Sequence, residues 1–134
     1  MFAYIIEDML PAIAVLEADL ATYCPEVQVI GVAHSVVSAA KLLRQRLPDL
    51  IFLDILLGDG TGFDLLEIFP GLDARIIFVT ASDEFALRAF RYAAVDYLLK
   101  PIEPEQLKSA VQRAQKQLSG TRESLSVLQE AIAG

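Results

Sequence analysis

The residues of this chain best suited to chemistry are three acids, one hydroxyl and one amine: Glu7, Asp8, Asp54, Thr80 and Lys100. Each stands at the end of a short apolar run: Ile5-Ile6 before Glu7-Asp8, Leu50 to Leu53 before Asp54, Ile76 to Val79 before Thr80, and Tyr97 to Leu99 before Lys100. If these runs are strands of one parallel sheet, their carboxyl ends share the edge where open α/β sheets bind ligands. Three carboxylates crowded at one edge repel one another, and one tends to hold its proton unless a cation intervenes. A hard divalent ion such as Mg²⁺ resolves the conflict, since it takes oxygen ligands and favours a pair of carboxylates together with phosphate. Lys100 brings a further positive charge on a flexible stem. Such a set neutralises the charge that builds on a transferring phosphoryl group. Asp54 is then placed to act as nucleophile and end as an aspartyl phosphate. Thr80 offers a hydroxyl to a phosphoryl oxygen and can reorient between two states.

Taken singly, none of these residues carries that conclusion. An Asp after a strand is commonly a turn former or helix cap, and the run Gly58-Asp59-Gly60-Thr61-Gly62 is mostly turn chemistry. Lys100-Pro101 is an ordinary strand exit, His34 reads as a loop residue rather than a ligand, and Cys24 as a packing residue near a helix end. Joint placement, at successive strand ends of one fold, is what points to a site.

The elements that must position these groups alternate regularly. Strands are predicted at Phe2–Ile6, Val27–Ala33, Leu50–Asp54, Arg75–Thr80 and Val95–Leu99, each a largely apolar run. Between them, helix-period segments are predicted over Met9–Tyr23, from a Ser35 cap to about Leu47, over Phe63–Phe69, from an Asp83 cap over Glu84 to about Ala93, and over Glu103–Leu118. Ile13, Leu16 and Leu20 face inward from the first, with Pro11 in its opening turn. Val36, Ala39, Ala40 and Leu43 face inward from the second, and Leu107, Val111, Ala114 and Leu118 from the last. Continuous apolar strands separated by helices imply a parallel sheet covered on both faces. Right-handed crossovers then give an α/β fold, a doubly wound five-stranded parallel sheet of (βα)5 type.

Ser119-Gly120-Thr121 is expected to break the last helix. Residues 1–118 form the domain, and 119–134 read as a helical linker or the start of an output domain, with Leu125, Leu128 and Ile132 on one side. The 134 residues fit one domain. An apolar fraction of 54% with 22% charged residues argues against disorder. The single cysteine excludes an internal disulfide framework and suits a reducing compartment. The opening residues lack a basic region and meet two acids early, so no signal peptide is expected and the protein is placed in the cytoplasm. No apolar run reaches membrane-spanning length. The net charge of −7 disfavours direct nucleic-acid binding by this stretch.

On these residues the chain resembles the receiver domains of two-component response regulators. The resemblance rests on Ile-Ile-Glu-Asp near the start, Leu-Ile-Phe-Leu-Asp54-Ile, Phe-Val-Thr80-Ala-Ser and Asp-Tyr97-Leu-Leu-Lys100-Pro101, and covers roughly residues 2 to 118. It implies a flavodoxin-like receiver fold, with Glu7, Asp8 and Asp54 binding Mg²⁺ together with the backbone carbonyl of Leu56. It further implies that Asp54 is the phosphoacceptor, Lys100 a phosphoryl contact, and Thr80 and Tyr97 a switch pair. The donor would be a phosphohistidine on a sensor histidine kinase. The protein would catalyse its own phosphoryl transfer and slow dephosphorylation without being a conventional turnover enzyme. Phe-Val-Thr-Ala-Ser-Asp-Glu-Phe-Ala-Leu-Arg-Ala-Phe and Val-Asp-Tyr-Leu-Leu-Lys-Pro-Ile resemble regulators of the LytR/AlgR type, which carry a C-terminal LytTR DNA-binding domain absent here. DNA would therefore be reached only through that missing domain. The face of fourth helix, fifth strand and fifth helix would form a homodimer. One departure is Leu57-Gly58, where many receivers have Met-Pro.

Three alternatives compete. A haloacid-dehalogenase-type phosphatase needs a second Asp two residues after the nucleophile, and Leu56 stands there. A nucleotide- or flavin-binding module would want a phosphate cradle after the first strand, where Glu7-Asp8-Met9 repels phosphate. A degenerate receiver acting as a protein-interaction scaffold is opposed by the intact acids, Thr80 and Lys100.

Overall fold

The computed structural model describes the backbone of residues 1–133 and the side chains of residues 1–119. Five strands alternate with five helices: β1 (Phe2–Ile6), α1 (Leu10–Tyr23), β2 (Gln28–Ala33), α2 (Val36–Gln45), β3 (Leu50–Leu53), α3 (Gly62–Ile68), β4 (Arg75–Thr80), α4 (Ala86–Phe90), β5 (Asp96–Leu99) and α5 (Pro104–Ala133). The strands are parallel in the order β2-β1-β3-β4-β5. The order reverses at β1, so the crevice between the ends of β1 and β3 is the topological switch point.

The residues predicted to face inward do so, except Leu118, which is only half-buried. Ile13, Leu16 and Leu20 of α1, and Leu107, Val111 and Ala114 of α5, join Ile5, Phe52, Ile77 and Val79 on one side of the sheet. Val36, Ala39, Ala40 and Leu43 of α2, with Phe63 and Leu65 of α3, join Ile6, Leu53 and Phe78 on the other. The central strands bury both faces, which is why β3 is apolar at every position, Leu-Ile-Phe-Leu. Tyr4 is one polar exception; its hydroxyl donates to the carbonyls of Arg46 (2.6 Å) and Leu42 (3.2 Å), pinning the end of α2 to β1. Burial raises the pKa of that phenol, so it remains a donor.

Helix starts follow the expected chemistry in two places. Ser35 caps α2 through a reciprocal pair with Ser38, and Thr61 caps α3 through one with Asp64. The Asp59 carboxylate also accepts from the backbone of Val36 (2.8 Å) and Val37 (3.2 Å). This acid of the Gly-rich loop therefore ties that loop to α2, and the bonds from Val36 and Val37 hold its pKa below the ordinary value.

Two helical expectations are corrected. The fourth helix is only Ala86–Phe90, and Asp83 does not cap it: Phe85 holds the N-cap position without a side-chain bond. Ala93 closes the following turn at φ 55°, the left-handed region that ends a helix at once. The fifth helix is longer than predicted and runs through Ser119-Gly120-Thr121 to Ala133. A Gly inside a helix costs about 1 kcal/mol, which good helix formers on either side can offset. The predicted facing of Leu125, Leu128 and Ile132 lies outside the described side chains.

Candidate functional site

The site residues are held by the sheet's own hydrogen-bond ladder, which runs one residue past each strand end. Glu7 N–H donates to Ala33 O (3.0 Å), Asp54 N–H to Ile6 O (2.9 Å), and Lys100 N–H to Thr80 O (2.9 Å). Each side chain therefore leaves a fixed backbone. Strand alternation decides direction. Glu7 and Asp54 follow Ile5 and Phe52 by two residues and share their face, while Thr80 follows Phe78 and shares the opposite one.

Glu7, Asp8 and Asp54 come together as expected: one carboxylate oxygen from each lies within 4.8 Å of the others. Glu7 and Asp54 are only 5% and 7% exposed, while Asp8 sits at the open rim. Lys100 bridges two of them. Its ammonium hydrogen-bonds Glu7 Oε1 and Asp54 Oδ2, the latter at 3.0 Å. Asp54 Oδ1 accepts from Ile55 N–H (2.7 Å), and Glu7 Oε2 accepts from Met9 N–H (3.2 Å).

One ammonium against three carboxylates leaves the site short of positive charge. Burial pushes the Glu7 carboxyl up to about 7, the Asp54 charge pushes the same way, and the Lys100 bond opposes both. Burial works against the Lys100 ammonium, but its bonds to Glu7 and Asp54 outweigh that and raise its pKa. A divalent cation fits this donor set. In octahedral coordination at about 2.1 Å, ligand oxygens stand roughly 3 to 4 Å apart, so the three oxygens need only a small contraction.

Leu56 lies on the loop after Asp54, paired with Thr61 in an antiparallel bridge. The rungs are Gly62 N–H to Ile55 O (2.8 Å) and Leu57 N–H to Gly60 O (3.0 Å). The backbone groups of Leu56 itself point away from that bridge, and its side chain is 55% exposed. Gly62 opens α3 so close to the phosphoacceptor candidate that a Cβ there would stand 2.5 Å from Asp54 O.

Thr80 is buried at 1% exposure. Tyr97 pairs with Phe78 in register, two residues below Thr80 on the same face. Its ring lies 6.2 Å from that of Phe78, and its hydroxyl donates to the Ser82 carbonyl in the β4–α4 connection. Burial raises its pKa. Arg88 and Arg91 stand three apart in and just after α4. In the structure Arg88 lies 4.3 Å above the Phe63 ring, and Phe63 also stacks on Tyr92, whose hydroxyl reaches Glu67 (2.9 Å). Sequence reasoning also missed a cavity of about 270 Å³ opening beside Glu7, Asp54 and Lys100, walled by Ala12, Val15, Phe52, Val79 and Ile102. No local pattern marks it, because its walls come from α1, the central strands and the segment after β5.

Among the described residues no helix is long and apolar enough to cross a membrane. Comparison with known proteins matches residues 3–112 to the response regulator receiver domain. A response regulatory protein of Vibrio cholerae is 40% identical over 101 residues, covering 75% of this chain and 43% of that protein. The sensory transduction protein LytT of Enterococcus faecalis is 41% identical over 96 residues, covering 70% of this chain and 40% of its own length. The chain thus spans less than half the length of these relatives. Among solved structures, the response regulatory domain of the protein mrkE from Klebsiella pneumoniae superposes with a TM-score of 0.82 at 27% identity, covering 90% of this chain and 99% of that one. The signal receiver domain of a modulated diguanylate cyclase from Desulfovibrio desulfuricans gives 0.74 at 29% identity, covering 88% and 97%. With its strand order, acidic cluster and bridging lysine, the chain belongs to the response regulator receiver family of two-component signal transduction.

Proposed function

We propose that this domain is a phosphorylation switch in which Asp54 accepts a phosphoryl group from a phosphohistidine on a sensor histidine kinase. The observation that carries the reading is the convergence of Glu7, Asp8 and Asp54, with Lys100 bridging Glu7 and Asp54. An Asp54 oxygen attacks phosphorus, the P–O bond forms as the P–N bond breaks, and the imidazole leaves with its electron pair and takes up a proton. Glu7, Asp8, Asp54 and the Leu56 carbonyl are the residues to hold Mg²⁺, which supplies Lewis-acid stabilisation of the phosphoryl oxygens. Lys100 is held above Asp54 and can exchange its carboxylate partner for a phosphoryl oxygen. Thr80 offers its hydroxyl to another.

The readout follows from Thr80 and Tyr97 sharing one face of neighbouring strands. Movement of Thr80 toward the phosphoryl group alters the space around Phe78, Tyr97 and the β4–α4 connection, and so biases a bistable packing element. On the outer surface Leu87 and Phe90 of α4 are 86% and 83% exposed. A homodimer through α4, β5 and α5 would cover them. In the full protein, residues 1–118 would act as the receiver, and 119 onward would lead to a LytTR-type DNA-binding domain controlling transcription in the cytoplasm.

Incubation with Mg²⁺ and acetyl phosphate tests the core of this reading. One added phosphoryl group is expected by intact mass, mapped to Asp54 and absent in Asp54→Asn. A phosphoryl group mapped elsewhere, or none, overturns it.

A further inference from the structure

The loop between β3 and α3 is closed on itself. Gly62 N–H donates to Ile55 O (2.8 Å), Leu57 N–H to Gly60 O (3.0 Å) and Asp59 N–H to Leu57 O (2.7 Å). These bonds leave residues 55–62 few ways to bend internally, so the place of the loop depends on what holds it from outside.

Leu57 holds it from below, fully buried in the same core cluster as Val36 and Phe63. Apolar contact is non-directional, so this keeps the loop down without fixing where it points. Asp59 supplies the direction. Its Oδ1 accepts from Val36 N–H (2.8 Å) and its Oδ2 from Val37 N–H (3.2 Å). These are the first two amides of α2, which have no acceptor within the helix. Helix α2 carries no acid in its own first turn, and the dipole favours a carboxylate at that end. Asp59 therefore fills, from another element, a place that α2 leaves open. The two segments are also in close apposition: a Cβ on Gly60 would stand 3.2 Å from Val36 Cγ2.

The same loop borders the acidic cluster. A Cβ on Gly58 would stand 4.0 Å from Asp8 Oδ2, so the backbone beside Asp59 passes along the rim of the site. The start of α2 reaches the site by a second route, since the His34 ring bonds Glu7 O (3.2 Å) just before the Ser35 cap. The sheet ladder joins Asp54 to β1 through Ile6 O. Asp59 closes the circuit beyond the sheet, from Glu7 through His34 and Val36 to the loop and back to Asp54.

We propose that Asp59 is a positioning residue, a latch on α2 that fixes the loop bearing Leu56 and Gly58 against the acidic cluster and so sets the affinity of that cluster for a divalent cation. The latch itself rests on its hydrogen bonds. Its effect on a cation rests on the metal site proposed at Glu7, Asp8 and Asp54. Asp59 acts through the loop backbone and not by ligation.

Calorimetric titration with Mg²⁺ and amide hydrogen exchange, both on the whole chain, test it. Asp59→Ala should weaken Mg²⁺ binding about 10-fold or more, the loss expected when a metal site loses an outer support. It should also speed exchange of the Leu57 and Gly62 amides, across the loop from the substitution. Asp59→Asn keeps one acceptor oxygen and should recover part of both effects. Leu43→Ala is the control: it opens a cavity under the far end of α2 and lowers the thermal midpoint, with Mg²⁺ affinity as in wild type. If Asp59 only caps α2, Asp59→Ala lowers the midpoint and speeds exchange at Val36 and Val37, while Mg²⁺ affinity and the loop amides stay as in wild type. That result overturns the latch. A wild type that binds no Mg²⁺ overturns the metal site and with it the effect on affinity, and exchange at Leu57 and Gly62 still decides the latch itself.

Discussion

Replacing Gly62 by alanine tests whether the start of α3 and the phosphoacceptor candidate are one mechanical unit. The added methyl would stand 2.5 Å from the Asp54 carbonyl oxygen and 2.9 Å from Leu53 Cγ. The shorter distance falls about 0.9 Å short of ordinary contact, and the obstacle is backbone, not a flexible side-chain tip. Gly62 cannot retreat freely, because its N–H is tied to Ile55 O at 2.8 Å and Leu53 is fully buried. Overpacking of this kind costs about 1–3 kcal/mol, which lowers the thermal midpoint by roughly 4 °C per kcal/mol in a domain of this size. The strain falls on Asp54 itself, and a misplacement near 1 Å in a reacting group costs up to about 100-fold in rate. Scanning calorimetry gives the first quantity, and the Mg²⁺-dependent rate of phosphorylation by acetyl phosphate gives the second. Gly71→Ala is the control: nothing lies within 4 Å of its added Cβ, but φ is 76°, so it destabilises by backbone strain alone and leaves the rate unchanged. A Gly62→Ala protein with wild-type midpoint and wild-type rate refutes the reasoning.

Three further outcomes follow from the site. Folded, metal-free protein holds the Glu7 proton up to about pH 7, against an ordinary value of 4.5. The folded state therefore binds more protons in that window, and its stability relative to Glu7→Gln should fall as pH rises from 4.5 to 7; Mg²⁺ must displace the same proton, so its affinity should rise over that range. Calorimetric midpoints at pH 5, 6 and 7 check the first trend, and titration with Mg²⁺ in buffers of different ionisation heat checks the second; a trend of opposite sign contradicts it. Tyr97→Phe removes the bond to the Ser82 carbonyl, worth about 1 kcal/mol, and should lower amide protection in residues 82–85; unchanged hydrogen exchange there means that the bond does not hold the β4–α4 connection. Leu56→Asn places a hydrogen-bonding group where an apolar side chain cannot orient water, and should change the lifetime of the aspartyl phosphate more than its rate of formation; equal dephosphorylation rates dispose of the idea.

Much of this was legible in the chain before its structure. Glu7, Asp54, Thr80 and Lys100 each terminate an apolar run, and the parallel-sheet inference alone puts them on one edge. The inward stripes of α1, α2 and α5 were readable because helical period and burial coincide there. What escaped were relations between segments distant in sequence. Asp59 looked like turn chemistry because its partners, the amides of Val36 and Val37, are more than twenty residues away. The place of Arg88 over a ring has no local signal, because that ring, Phe63, belongs to another helix. The fourth helix was overextended because Glu84-Phe85-Ala86-Leu87 has good helical pattern, while the left-handed turn at Ala93 is set by tertiary fit. The fifth was cut short because Gly120 is a local signal for a stop, whereas the helix runs on through it to Ala133.

The two sides of the sheet are built of different materials. The side under α1 and α5 is aliphatic, with Phe52 as its one buried aromatic among the described residues. The side under α3 and α4 holds Phe63, Phe78, Phe85, Tyr92 and Tyr97, with neighbouring ring centroids 5.2 to 6.2 Å apart. Ring pairs of this kind favour tilted or offset arrangements over face-to-face ones, so their packing is directional. Under the proposed switch, a disturbance at the carboxyl end of β4 would reach these ring contacts first, on the half of the domain that also carries the exposed Leu87 and Phe90 of α4.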